Sequence, residues 1–155
     1  MAISIVQPQS EEQWRHARQL IEEYAASLDL DLSFQNLQHE LQHLASEYSP
    51  PAGAFLLAAD QDKYLGCVGL RQFAAGVGEI KRLYALPAAR GQRIGRQLAA
   101  AIVEIARQRG YARLLLDTLP SMTQAQSLYA SLGFKPTAAY RFNPVPGTVY
   151  LELML

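Results

Sequence analysis

The stretch EIKRLYALPAARGQRIGRQL, residues 79–98, constrains the fold of this chain more than any other segment. Its first half is typical of a strand, and its second half begins an apolar stripe at helical spacing. Between them, Pro87 fixes the backbone dihedral φ, and Gly91 and Gly95 permit tight turns. Such a unit brings backbone N–H groups together at the start of a helix, where the helix dipole favours an anion. The stretch therefore predicts either a phosphate site or a plain turn with solvated arginines.

The remaining pattern predicts one α/β (α+β) domain that occupies residues 1–155. Short apolar segments predict strands at residues 3–6, 54–60, 64–73, 79–86 and 112–117 and in the tail TVYLELML. Apolar stripes predict helices near residues 11–28, 36–48, 94–108 and 123–133. The two strands of the unit 79–117 should be parallel, because a helix connects them as a crossover. We expect one mixed, twisted sheet of about six to seven strands flanked by about four helices.

Charge, apolar runs and cysteine content indicate which partners and which cell compartment to expect. The 14 Lys and Arg residues balance 14 Asp and Glu residues. A net charge of zero argues against general binding to nucleic acid or to an anionic membrane. No apolar run reaches the roughly 20 residues that span a bilayer, and the N-terminus lacks the pattern of a signal peptide. The single cysteine, Cys67, lies among apolar residues. We therefore expect a cytoplasmic protein whose one thiol is buried and inert.

The segment HELQH, residues 39–43, matches the zinc-peptidase pattern H-E-x-x-H and supports an alternative function. In that alternative, His39 and His43 bind zinc and Glu40 acts as the base. At about 100° per residue, however, both histidines fall opposite the apolar stripe of their helix. The only other histidine is His16, so no downstream histidine completes the ligand set. We predict a solvated helix face and no bound metal.

The stretch at residues 79–98, together with the later segments LLLDT and AQSLYASLGF, resembles the GNAT superfamily of acyl-CoA-dependent N-acyltransferases, in particular its small bacterial members. The family signature Q/R-x-x-G-x-G/A begins here at Arg90, so that Arg93 replaces the middle glycine. Because any residue except proline supplies a backbone N–H donor, we expect the anion site to survive.

The resemblance implies that acetyl-CoA is the cosubstrate. It places the pantetheine arm along the main chain of Leu83, Tyr84 and Ala85. It places the pyrophosphate on Arg90, Gly91, Gln92, Arg93, Ile94, Gly95 and Arg96. One departure concerns Met122, because many family members have there an asparagine that contacts the CoA arm. Thr123 or Gln124 can supply a replacement contact.

The resemblance also implies two catalytic residues. Tyr129 matches a family tyrosine that faces the CoA sulfur, and a tyrosine retains its proton at pH 7. By pattern alone, a core aromatic residue is the favoured interpretation of Tyr129, and the family resemblance reverses that preference. Glu79 matches the position of the general base in some members. The alternatives are a plain charge beside Lys81 at the strand end, or proton removal through water.

The first two helices resemble the region that forms the acceptor site in GNAT proteins. The segment EYAASLDLDLSFQ supplies Tyr24 and Phe34 close to Asp29 and Asp31, a set that suits a cationic amine. Tyr24 also falls on the core stripe of its helix, and the two aspartates are also typical of a loop. A purely structural role for this segment therefore stays open.

Together these observations predict an N-acetyltransferase that moves an acetyl group from acetyl-CoA directly to a primary amine. A non-catalytic, CoA-binding regulatory module and the zinc peptidase are the alternatives. The acceptor, a small molecule or a peptide N-terminus, is not identified by the sequence. Many relatives dimerise, so a homodimer is open, whereas nucleic acid and membrane partners are not expected.

Overall fold

The computed structural model describes residues 3–28, 36–89 and 91–155, and in those ranges it contains five helices and seven strands. The helices are α1 (Glu11–Ser27), α2 (Leu37–Gln42), α3 (Leu44–Glu47), α4 (Ile94–Gln108) and α5 (Thr123–Ser131). The strands are β1 (Ser4–Val6), β2 (Ala54–Asp60), β3 (Lys63–Ala74), β4 (Val77–Ala85), β5 (Arg113–Thr118), β6 (Lys135–Pro136) and β7 (Val149–Met154). The predicted fold class is confirmed.

The strands form one mixed sheet in the order β1-β2-β3-β4-β5-β7-β6. The predicted parallel pair is β4 with β5, and it joins residues 77–79 to residues 113–115. Beyond that register β4 continues along β3, whereas β5 continues along β7 to Thr118. The two central strands therefore diverge, and this divergence opens the middle of the sheet.

Apolar side chains cover both faces of the sheet. On one face, the predicted stripe of α4 is buried, with Ile94, Leu98 and Ile102 each at most 1% exposed. On the other face, Ile21 of α1 and Leu44 of α3 belong to a second apolar cluster. Burying one such side chain contributes roughly 1.5–3 kcal/mol, so both layers hold the sheet in place.

Three details differ from the sequence prediction. The helix expected over residues 36–48 is broken at His43, whose φ of −134° is not helical. Leu41, Leu44 and Tyr48, which lie on one face at helical spacing, are all buried. The strand β4 begins two residues earlier than expected, at Val77. The strand β6 was not expected, because it has only two residues and pairs at the sheet edge, where proline is tolerated.

Candidate active site

A groove lies where β4 diverges from β5, and we call it the β4–α4 groove. Its volume is about 560 Å³. One wall is the predicted segment Leu83, Tyr84 and Ala85, and the floor is the turn before α4. The first turns of α5 form the opposite wall with Met122, Thr123, Gln124, Ala125 and Leu128. The groove therefore combines a strand, a helix N-terminus and an apolar wall.

The turn before α4 contains two residues with positive φ angles. Gly91 has a φ of +94°, and a Cβ built on it meets no atom within 4 Å. Arg93 caps α4 with a φ of +59°, in the left-handed region that favours glycine. The arginine at the family's glycine position therefore adopts the conformation of a glycine. Its side chain is exposed and lines the groove.

The other residues predicted for the pyrophosphate differ in their positions. Ile94 and Gly95 line the groove with Gly91 and Arg93. Arg96 instead points to α5, where its Nη1 donates to the Ser131 hydroxyl at 2.6 Å. The carbonyl of Gln92 accepts a hydrogen bond from the Gln97 side chain at 3.3 Å. Arg90 lies outside the described residues.

A small cavity of about 60 Å³ continues the groove inward, and we call it the central cavity. Lys81, Asp117 and Tyr129 line it, and Tyr24 lines both the cavity and the groove. Tyr129 is 5% exposed and packs against Phe134 with a ring distance of 5.4 Å. Burial raises the pKa of its hydroxyl well above the ordinary value, with smaller contributions from Tyr24 and Asp117. Tyr129 therefore holds its proton and faces the inner end of the groove.

Lys81 is a residue that the sequence analysis named only as a neighbour of Glu79. Burial, together with Arg82 and Arg71, lowers the pKa of its amine to about 7, against the opposing effect of Glu40 and Asp117. A lysine with such a pKa is partly neutral near neutral pH. Its position could have been inferred from the alternation of side chains along a strand, which places residues 79 and 81 on the same face of β4.

A buried ion pair replaces the zinc site that HELQH suggested. The Glu40 carboxylate accepts from Nε and Nη2 of Arg82, both at 2.9 Å, and from the Tyr48 hydroxyl at 2.9 Å. His39 and His43 are exposed and stack on one another. Within the described ranges, no group of three or more His, Cys, Asp or Glu residues is arranged to hold a metal. Glu40 is thus a structural residue.

A β-bulge in β4 makes this ion pair possible. The register of β4 with β3 shifts opposite Val68, and Arg82 has a φ of +64°. Bulges locally re-aim a side chain, and here the guanidinium reaches α2. The same strand thus carries Arg82 toward Glu40 and Lys81 toward the central cavity.

Glu79 lies at the base of a second opening, which we call the polar cleft. Its volume is about 730 Å³, and Glu47, Arg71, Phe73, Glu79, Arg141 and Phe142 are among its lining residues. Glu79 is 1% exposed and forms ion pairs with Arg71 and Arg141. It also accepts a 2.8 Å hydrogen bond from the Tyr140 hydroxyl. The predicted base is therefore surrounded by cationic and phenolic donors.

Four further positions named in the sequence analysis complete the comparison. Cys67 is fully buried, and burial raises the pKa of its thiol, as expected of an inert residue. Phe34, with Asp29 and Asp31, lies outside the described residues. Arg141 and Tyr140 were not identified from the sequence, since nothing in the segment AAYRFNPVPG indicates that it contacts β4.

Residues 14–134 of the chain match the family described as acetyltransferase (GNAT) family. An uncharacterized N-acetyltransferase of Schizosaccharomyces pombe is 40% identical over 138 residues, which cover 88% of this chain and 85% of that protein. The crystal structure of an acetyltransferase from Streptococcus agalactiae has a TM-score of 0.80 at 21% identity and covers 99% and 98% of the two chains. The PaiA N-acetyltransferase from Thermoplasma acidophilum, solved in complex with coenzyme A, has a TM-score of 0.76 at 18% identity over the full length of both chains. Across the part of this chain that the structure describes, no helix is long and apolar enough to cross a membrane.

Proposed function

Because the chain belongs to the acetyltransferase (GNAT) family, we propose that it transfers an acetyl group from acetyl-CoA to a primary amine. The observation that carries this proposal is the β4–α4 groove. It joins a strand edge to the N-terminus of α4, and the turn between them has the positive φ angles of an anion cradle. Its residues fit a long cosubstrate with phosphates at one end.

The groove residues would divide the binding of acetyl-CoA between them. The turn at Gly91 and Arg93 would bind the pyrophosphate through backbone N–H groups and one guanidinium. The main chain of residues 83–85 would lie along the pantetheine arm. When bound, acetyl-CoA supplies the activated acetyl thioester. The central cavity would receive this end, because it continues the groove inward.

Tyr129 would be the general acid of the reaction. It lines the central cavity, and a tyrosine hydroxyl carries its proton at pH 7. A positioned hydroxyl can protonate the departing thiolate. The buried Cys67 is in no position to accept the acetyl group, which supports direct transfer to the amine.

Two residues are candidates for removing the proton from the attacking amine. Glu79 was the candidate from the sequence, but both of its oxygens lie against guanidinium groups and one also accepts from Tyr140. Lys81 lines the central cavity itself. We assign the proton acceptor to Lys81, and we assign to Glu79 the positioning of Arg71 and Arg141.

Calorimetric titration with acetyl-CoA tests the proposal first. We expect micromolar binding, which Arg93→Glu should weaken at least about tenfold because a carboxylate repels the pyrophosphate. Arg107→Glu is the matched control, since Arg107 lies in an exposed ion pair near the other end of α4. Absence of binding by folded wild-type protein would refute the proposal. Binding without release of free CoA in the presence of any amine would favour the non-catalytic module.

A further inference from the structure

The polar cleft holds cationic donors that its own carboxylates do not use. Arg71 approaches Glu47 at 3.6 Å and Glu79 at 3.5 Å, and both distances exceed the roughly 2.7–3.2 Å of ordinary N–H···O bonds. Arg141 pairs with Glu79, yet its Nε is buried without a hydrogen-bond partner among the described residues. A buried donor without an acceptor is unfavourable, so an acceptor group brought to Arg141, which lines the cleft, would stabilise it.

The nearby carboxylates do not use all the donors of the two arginines. The buried Glu79 carboxylate contacts the guanidinium groups of both Arg71 and Arg141. Glu47 is partly exposed and is shared between Arg71 and His39, which lies 3.5 Å away. The two arginines and the two carboxylates therefore balance in formal charge, and what distinguishes the base of the cleft is the set of guanidinium donors that these carboxylates leave without close hydrogen bonds.

The rim of the cleft is aromatic. Phe73 is 42% exposed and Phe142 is 76% exposed, and both line the opening. Large apolar side chains held at the surface beside polar groups are typical of binding sites. The ring of Tyr140 packs edge-on against Phe73 at 5.1 Å, which fixes this side of the rim.

The cleft lies within reach of the central cavity. Glu79 in the cleft and Lys81 in the cavity are two residues apart on one face of β4, which corresponds to about 7 Å along a strand. The loop that carries Arg141 is also tied to the cavity, because Asn143 donates from Nδ2 to Oδ2 of Asp117 at 3.3 Å. The spacing of about 7 Å along β4 matches the length of a ligand of several carbons.

We infer that the acceptor is an amine that also carries a carboxylate, which Arg71 and Arg141 bind in the polar cleft while the amine enters the central cavity. This inference rests on the proposed acetyl transfer and names the class of its acceptor. Guanidinium groups bind carboxylates through two parallel hydrogen bonds. Two such groups therefore select a ligand by its negative charge and also hold its carboxylate in a defined position.

Matched acceptors provide the test. The specificity constant kcat/KM is measured for ω-amino acids of two to six carbons and for the alkylamines of equal length, which lack the carboxylate. We expect the wild-type enzyme to prefer the carboxylated member by about tenfold or more at the best chain length. Arg71→Gln and Arg141→Gln should bring this ratio close to one, mainly through KM. Arg107→Gln, an identical change at an exposed site, should leave the ratio unchanged.

Conservative variants separate recognition from folding. Arg71→Lys and Arg141→Lys retain the charge beside Glu79 but lose the planar fork, so we expect a folded enzyme with an intermediate ratio. A wild-type ratio of one or less, or a ratio that the arginine variants leave unchanged, would overturn the inference. Failure to acetylate any ω-amino acid by protein that binds acetyl-CoA would also overturn it. Failure to bind acetyl-CoA would instead refute the proposed function.

Discussion

The β4–α4 groove and the polar cleft share strand β4, but different structural features form them. The groove is shaped by backbone geometry, with Gly91 and Arg93 at positive φ before a helix N-terminus. The cleft is shaped by charged side chains that meet from β3, β4 and the loop before β7. The groove suits a constant cosubstrate, whereas the side chains of the cleft can change from one protein to another without altering the fold.

The difference extends to what stabilises each region. Apolar residues of α4 support the groove, and Leu98 and Ile102 are fully buried there. On the opposite face of the sheet, the Glu40–Arg82 pair is buried between α2 and β4. Apolar packing tolerates small changes, whereas a buried charge that loses its partner is strongly unfavourable. The two regions should therefore respond differently to mutation.

The largest expected effect is on stability at the buried pair. Glu40→Ala leaves the Arg82 guanidinium buried without its partner and should lower the free energy of unfolding by about 3–5 kcal/mol. Glu104→Ala is the matched control, because Glu104 pairs with Arg107 at 2.8 Å on the surface. That change should cost at most about 1 kcal/mol. Urea unfolding of both variants checks this, and equal losses would contradict the contrast between the two regions.

The same carboxylate gives stability a dependence on pH. Burial alone would raise the pKa of Glu40, but the hydrogen bonds and charge of Arg82 outweigh it and hold the pKa below the ordinary value. The stabilisation is therefore present above the unfolded-state pKa and is lost as the pH falls through the folded-state pKa. The difference in unfolding free energy between the wild type and Glu40→Ala should shrink in acid. A difference independent of pH would argue against an ionised Glu40.

The next effect tests the cavity that joins the two regions. Tyr129→Phe removes the hydroxyl that would protonate the thiolate, so kcat should fall by at least about 100-fold. The affinity for acetyl-CoA should remain, because the groove is built by other residues. Tyr64→Phe on β3 removes a hydroxyl far from the cavity and serves as control. Unchanged turnover in Tyr129→Phe would refute its role as the acid.

The two regions also differ in how far the sequence predicts them. A turn at this place was predicted because Pro87, Gly91 and the following apolar stripe are close in the chain, whereas the role of residues 83–85 came only from the family resemblance. The left-handed φ of Arg93 was not predicted, since an arginine gives no sign of it. The cleft could not be predicted, because Arg71 and Arg141 meet only after β3, β4 and the loop before β7 have assembled around Glu79. Long-range charge pairs leave no periodic pattern in a sequence.

A smaller effect concerns the pH dependence of turnover. At each pH, the ratio of the wild-type kcat to that of Lys81→Met cancels the titration of the acceptor amine. Because burial and the neighbouring arginines lower the pKa of Lys81 to about 7, the ratio should rise through that pH and then level off. Lys63→Met, at the exposed first residue of β3, is the control for the loss of one positive charge. A ratio that does not change with pH would show that Lys81 is not the base and would favour Glu79 or water in that role.

The smallest effect is expected at the turn of the groove, where removing a side chain should raise the stability of the fold. Arg93→Gly relieves the strain of a left-handed residue, partly offset by the greater freedom of glycine in the unfolded chain, so the net gain should be about 0.5–1 kcal/mol. Arg96→Gly, three residues further on within α4, should instead cost about 1 kcal/mol, because its backbone is helical. The temperatures of thermal unfolding of the two variants should therefore shift in opposite directions.

The same variant also tests how the turn binds acetyl-CoA. If backbone donors form the cradle, Arg93→Gly should weaken acetyl-CoA binding only a few-fold. A loss as large as that of Arg93→Glu would show that the side chain dominates.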